Sequence, residues 1–471
     1  MSEAKTYGPD TLSAAERGLA DRALEASLKA GADGVRISLS KSTLNQHCLL
    51  CGQLDKVSRA ADRTLTLSLF LDGRFGTFST NRVGASLEAF IARAVETVRT
   101  MSEDPCRGLA DPSHTAKNAR TGLEAGLFDP AWNGPEPDRT ALARKVSLWE
   151  ELRRETPERA WRAVSEECDW SDCLSDNYLI DSNGLCCRHL ETSFEVSSEI
   201  TLQDSEGRRY SGYAWDSMPR RADVVPELCG RKALERAVAQ LHPQPCRGGR
   251  MTVVFDTEIA GRLVKPLLSA LGGYALQQRN SFLQDSLGKQ LFPEYMTLMD
   301  RPHAFGQNGA RLYDSEGSAT ADRPIIDRGR VSLYFLNSYT ARKMGLAPTV
   351  EDATKATLLP CLDGNLLPQG QSLTQEDLLR HCGDGLLVTG FNGGNCSGTT
   401  GAFSYGAEGF LFRDGRILHP VRELVVTGEM TGLWNRLLAA GTDARPCSIQ
   451  QIPTLAFSDV HVAGADAPQN D

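Results

Sequence analysis

Hydrophobic and polar positions along the chain switch several times between helical and alternating spacing. Leu19, Ala23, Ala26 and Leu28 fall at helical spacing within residues 10–31. Thr11 or Ser13 can cap that segment and Gly31 can end it, which predicts a helix. Val35–Leu39 and Arg63–Leu71 alternate with period two and predict strands. The second turns at Asp72-Gly73 and returns through Gly76-Thr77-Phe78, a hairpin signal. Leu87, Phe90, Ile91 and Ala94 restore helical spacing over Ser86–Met101.

Residues 103–138 are rich in Pro, Asp and Gly and read as a connector. The outline then repeats. A helix is expected over Thr140–Arg154, and strands between Ala160 and Trp215. These turn at Asp181-Ser182-Asn183-Gly184 and Ser205-Glu206-Gly207, and a helix follows over Gly230–Leu241. From Arg250 the character changes. Met251–Phe255 reads as a buried strand, and Ile259–Leu271 as a helix interrupted at Pro266. Thr399–Ser404 and Glu408–Arg413 read as strands. The fold class expected is α+β: two small N-terminal α+β units and a larger strand-rich C-terminal domain. The boundaries read as 1–110, 111–245 and 246–464, with a tail over 465–471.

Composition narrows the function classes. The 471 residues are 41% hydrophobic and 24% charged, an ordinary globular balance long enough for more than one core. With 51 basic against 60 acidic residues, the net charge of -9 argues against direct binding to nucleic acid. No apolar run reaches membrane-spanning length, and the N-terminus lacks the apolar core of a signal peptide. The odd count of 13 cysteines then reads as reduced thiols in a cytoplasmic protein.

An ordered set of motifs follows Arg250. Val253-Val-Phe-Asp256 leads into Gly261-Arg-Leu-Val-Lys-Pro-Leu-Leu-Ser-Ala-Leu-Gly-Gly273. Tyr313-Asp-Ser-Glu-Gly317 precedes Ile325-Ile-Asp-Arg-Gly329, and Gly415-Arg-Ile-Leu-His-Pro-Val-Arg-Glu-Leu424 follows near the end. This set resembles the TldD/PmbA family, the metalloprotease-related proteins also called modulators of DNA gyrase. The resemblance is good over about Arg250–Gly464 and looser before it. In the TldD arm a His-Glu-x-x-x-His helix supplies two metal ligands and a general base. Here Lys265 stands at the first histidine, Pro266 at the glutamate and Ala270 at the second histidine, and none of the three can do that work. The resemblance therefore implies the PmbA (TldE) subunit. It implies no metal and no catalytic residue in this chain, and zinc in a TldD-type partner. Cleavage of unfolded peptides is expected only in the complex. Whether the lone chain forms a homodimer stays open. The alternative is a non-enzymatic regulatory protein acting on toxin–antitoxin or gyrase partners; a self-sufficient hydrolase is weaker still.

Other groupings read as structural. His303 with Asp300, Asp314 and Glu316 has no metal-ligand spacing and reads as two turns. Cys48-Leu-Leu-Cys51 lacks a second pair, and its leucines suggest burial. Cys447 lies where the TldD arm supplies a cysteine ligand, but it cannot complete that site alone. His381 and Cys382 are neighbours on a helix end and point apart. Gly390–Gly398 lacks every phosphate-loop and nucleophile-elbow pattern. It reads as a loop whose glycines allow close backbone approach. Gly393, Gly394, Asn395, Gly406 and Gly409 are the expected peptide-binding positions, provided that the 399–413 strands form an edge.

Overall fold

The computed structural model describes residues 10–82, 86–154 and 159–464. The expected tail lies outside them. The chain forms two compact units. One comprises residues up to 237 with 302–321 and 336–351; the other comprises 238–301, 322–335 and the rest from 352.

The first unit is built on one antiparallel sheet. Its strands are β1 (Gly34–Leu50), β2 (Gln53–Leu71), β3 (Arg74–Thr80), β4 (Trp161–Asp181), β5 (Cys186–Asp204) and β6 (Arg209–Met218), in the order β3-β2-β1-β4-β5-β6. The two N-terminal outlines thus contribute three strands each to a single sheet, joined where β1 pairs with β4. Helices α1 (Ala14–Lys29) and α2 (Leu87–Arg99) cover Val35, Ile37, Leu39, Leu65, Leu67 and Leu69, all fully buried. Each such side chain contributes about 1.5–3 kcal/mol over an exposed one. A capping box between Ser13 and Glu16 starts α1. Helices α3 (Arg139–Val146) and α4 (Pro226–Ala239) pack with Trp170, Val196, Ile200 and Ala214 into a second cluster.

Three details differ from expectation. β1 and β2 continue well past Leu39 and begin well before Arg63. In the extension Asn45 and His47 bond to Asp172 and Thr140, so polar pairs replace the apolar alternation. The hairpin ends at Cys51 and Gly52, whose φ values of 50° and 72° make a two-residue primed turn. Second, α3 stops at Val146 instead of running to Arg154. Buried Glu166 accepts from the Leu148 amide at 2.6 Å and from the Ser147 hydroxyl, which diverts the backbone. Third, α4 begins earlier than Gly230, at Pro226, a favourable first-turn proline.

In the second unit, strands β7 (Gly249–Phe255), β8 (Gly385–Cys396), β9 (Ala402–Arg413), β10 (Arg416–Glu429), β11 (Leu437–Ala440) and β12 (Leu455–Ala463) belong to one eight-stranded sheet. β7 and β8 run parallel, and β8, β9 and β10 are consecutive antiparallel neighbours. β12 pairs with β10 through Ala463, with β11 through Leu455 and with β7 along most of its length. The run β7-β8-β9-β10-β12 therefore closes on itself. Helix α5 (Thr257–Ala270) follows β7, and α6 (Gln375–Cys382) precedes β8. Leu378 and Leu379 of α6 pack with Val254, Leu387, Phe412 and Ala456. A small four-stranded sheet includes Leu298–Asp300 and Ala356–Leu358. Among the described residues no helix is long and apolar enough to cross a membrane.

Two further expectations are corrected here. α5 is not interrupted: it runs through Pro266 because Ala260, Leu263, Val264, Leu267 and Ala270 bury one face and hold it. The glycine-dense segment 390–396 is not a loop. It is the far half of β8, paired to β9 with irregularities after Val388 and after Phe391.

Candidate functional site

The region expected to hold a metal in the family's other arm is built from α5, Lys355 and the 443–452 segment. Asp256 caps α5 by accepting from the Glu258 amide at 2.8 Å. Glu258 pairs with Arg445 at 2.5 Å, and the Thr257 hydroxyl donates to the Ile452 carbonyl at 2.8 Å, tying that segment to the start of the helix. Lys265 is exposed, Pro266 is half-buried and Ala270 is buried at 3% exposure. None of the three side chains offers an imidazole or a carboxylate to a metal ion.

Lys355 is the residue that the hydrophobic pattern did not flag. It is fully buried, and its ammonium donates to the Ser448 carbonyl at 3.0 Å and the Pro446 carbonyl at 3.5 Å. These carbonyls flank Cys447, itself buried. A cation fixed to the protein thus lies beside the one thiol of this region. Metal ligands would have to be Lys265, Pro266, Ala270 and Cys447, and this set does not fit a divalent ion. The only signal for Lys355 was a charged residue among small and apolar neighbours, Ala353-Thr-Lys-Ala-Thr-Leu-Leu359.

Burial pushes the Lys355 ammonium down from 10.5 to about 8. Between those values the folded chain holds fewer protons than the unfolded chain, so stability rises with pH there. Below about 8 the cost of the buried charge is fully present. Relative to Lys355→Met, the native chain should gain up to about 3 kcal/mol as pH rises through this window. Urea unfolding of both proteins across the window measures it; parallel curves would remove the assignment.

The expected peptide-binding positions divide. Gly406 and Gly409 lie on β9, which is paired on both sides, so the edge expected there is not an edge. Gly393, Gly394 and Asn395 lie on the far half of β8. There β9 covers one side, while β7 reaches only Leu386–Val388 on the other. From Gly390 to Cys396 the outer side of β8 has no strand partner among the described residues, and residues 392–395 are exposed. Gly394 has φ 99°, and a Cβ there would lie 2.1 Å from the Ser404 carbonyl oxygen, so glycine is required. Phe391 anchors the segment against Phe255 and Tyr405, with ring centroids 5.9 and 5.1 Å away. The Arg262 guanidinium donates to the Phe391 carbonyl at 3.3 Å.

The remaining groupings have structural partners. His303 bonds to Thr320 at 3.2 Å, and Asp314 accepts the Glu316 and Ser318 amides of its own turn. His381 reaches Asp363 at 2.9 Å, while Cys382 packs on the α6 core. Cys48 sits on β1 and Cys51 in the following turn, not at a helix start. Burial, then Asp169 and Glu167, push the Cys48 thiol up to about 12. Cys48, Glu167 and Asp169 are the single group of three metal-capable side chains among the described residues.

Residues 248–464 match the PmbA/TldA metallopeptidase C-terminal domain, and residues 135–241 match the corresponding central domain. Metalloprotease PmbA of Escherichia coli O157:H7 is 27% identical over 457 residues, covering 96% of this chain and 97% of the relative. A candidate modulator of DNA gyrase from Bacteroides thetaiotaomicron superposes with a TM-score of 0.89 at 34% identity, covering 96% of this chain and all of that one. TldE from Thermococcus kodakarensis shares the fold, with a TM-score of 0.76 at 17% identity, covering 95% of this chain and all of that one. The resemblance carried by the motifs after Arg250 holds for the whole architecture, and the chain belongs to the PmbA/TldD metalloprotease family.

Proposed function

We propose that this chain is the non-metal-binding subunit of a TldD/TldE-type heteromeric metalloprotease that cleaves unfolded peptides. The observation that carries this reading is the identity of residues 265, 266 and 270 on α5. Lysine, proline and alanine occupy the positions at which a metal-binding relative needs two imidazoles and a carboxylate. On this reading zinc and the general base come from a TldD-type partner. The present chain supplies the outer edge of β8, where Gly393, Gly394 and Asn395 offer main-chain groups to an extended peptide. Main-chain pairing reads no side chains, which suits a peptidase of unfolded segments. The setting we propose is cytoplasmic, which suits thirteen free thiols.

Co-expression with a TldD-type chain tests the reading. A stable complex should form, and an unfolded peptide should be cleaved by the mixture but not by this chain alone. Cleavage by the lone chain, or failure of the two chains to associate, would overturn it. The chain's acidity disfavours a direct role on DNA, so any effect on gyrase is better placed downstream of peptide cleavage.

A further inference from the structure

The far half of β8 runs alongside α5. At one end the Arg262 guanidinium, early in the helix, donates to the Phe391 carbonyl at 3.3 Å and lies 5.7 Å from the Phe391 ring centre. At the other end the carbonyl of Ala270, the last helical residue, accepts the Ser281 hydroxyl at 2.5 Å. The next amide, that of Phe282, donates to the Gly398 carbonyl at 2.9 Å. Between these ties the helix rises about 12 Å, the length of about four extended residues. One wall of the groove is the outer edge of β8, with residues 392–395 exposed. The other is the exposed stripe Arg262, Lys265 and Ser269, whose spacing of three and four places them on one face of α5.

The charge of the helical wall is one-sided. Among the described residues Lys265 makes no hydrogen bond or ion pair, and Arg262 bonds the Phe391 carbonyl and no carboxylate. The neighbouring carboxylates are already engaged. Glu258 is held by Arg445 at 2.5 Å, and Asp256 by the Glu258 and Gln375 amides at 2.8 Å. Glu408 is held by Arg422 at 3.8 Å and the Asn392 amide at 3.1 Å, and Asp285 by Arg279 at 3.5 Å. Glu429 stands opposite Ala402 on β10, with β9 between it and β8. Two cations without counter-charge therefore flank an open strand edge, in a chain whose net charge is -9. Pairing along the edge engages only the main chain of a bound peptide, so its side chains are left to the helical wall, and that wall attracts carboxylates.

We infer that the groove between α5 and the outer edge of β8 selects extended peptides carrying glutamate or aspartate, with Arg262 and Lys265 pairing their carboxylates. Successive side chains of an added strand point to opposite sides, so every second one faces α5. This substrate class rests on the peptide-binding role proposed above, but the binding needs no partner chain, so the two can fail separately.

Calorimetric titration of the whole lone chain with three end-blocked hexapeptides tests it: threonine alternating with glutamate, with glutamine or with lysine. The glutamate peptide should bind about tenfold more tightly than the glutamine peptide, as two partly solvated ion pairs allow, and the lysine peptide most weakly. Raising the salt concentration should shrink the difference. Lys265→Glu, at an exposed position, should bring the glutamate and lysine peptides to within about twofold of each other. Equal affinity for the three peptides would overturn the inference. So would no binding of the glutamate peptide, or an unchanged preference in the Lys265→Glu protein. Binding in the expected order by a chain that fails to associate with a TldD-type subunit would uphold the groove and remove the two-subunit reading alone.

Discussion

Alanine at Gly409 is expected to destabilise the second unit by about 4 kcal/mol or more, enough to unfold a chain of ordinary stability. Gly409 is buried in β9 and faces β8 at close range. A Cβ there would lie 1.9 Å from the Leu387 carbonyl oxygen and 2.9 Å from the Val388 Cα. Both are backbone atoms of a strand held on its other side by β7, so neither can yield without breaking the ring. Gly393 provides the control. Its φ is 90°, but no atom lies within 4 Å of where a Cβ would stand, so alanine there costs backbone strain of about 1–3 kcal/mol and no clash. Chemical denaturation of Gly409→Ala and Gly393→Ala checks the contrast, and equal losses would contradict the closed sheet.

Alternate N-methylation of a peptide substrate is expected to lower its kcat/KM in the two-subunit complex by about a hundredfold. A peptide added to the outer side of β8 would bond through every second backbone amide along Gly390–Cys396. Losing about three such bonds at about 1 kcal/mol each gives that factor. Methylating the intervening amides, which face away from β8, should cost far less. Equal losses for the two patterns would show that substrate is not held as an added strand. The effect should lie in kcat/KM and not in the stability of the complex, because the substitutions are in the peptide.

Much of the fold was legible in the pattern, and the failures have physical causes. Asp72-Gly73 announced a primed hairpin turn, and the two residues have the φ values it requires, 47° and 69°. Val253–Phe255 read as a buried strand and is one, paired by β8 and β12. The long half of β1 was illegible because its inner face buries Thr43 and Asn45, so alternation exists without hydrophobicity; that of β2 was illegible because residues 53–62 are almost all exposed. The single sheet shared by both N-terminal outlines rests on β1–β4 pairing between segments more than a hundred residues apart, which no local period records. Residues 390–396 were misread because dense glycine signals a loop and an irregular strand alike. At the site, the substitutions at Lys265, Pro266 and Ala270 were visible by resemblance. Lys355 was not, because its meaning lies in the carbonyls of Pro446 and Ser448, far along the chain.

The central claim is that the metal belongs to the partner and not to this chain. Elemental analysis of the purified lone chain, beside its complex with a TldD-type subunit, tests that most directly. The account predicts no stoichiometric zinc in the lone chain and one site's worth in the complex, lost when the partner's histidines are replaced. Stoichiometric zinc retained by the lone chain after dialysis would contradict it.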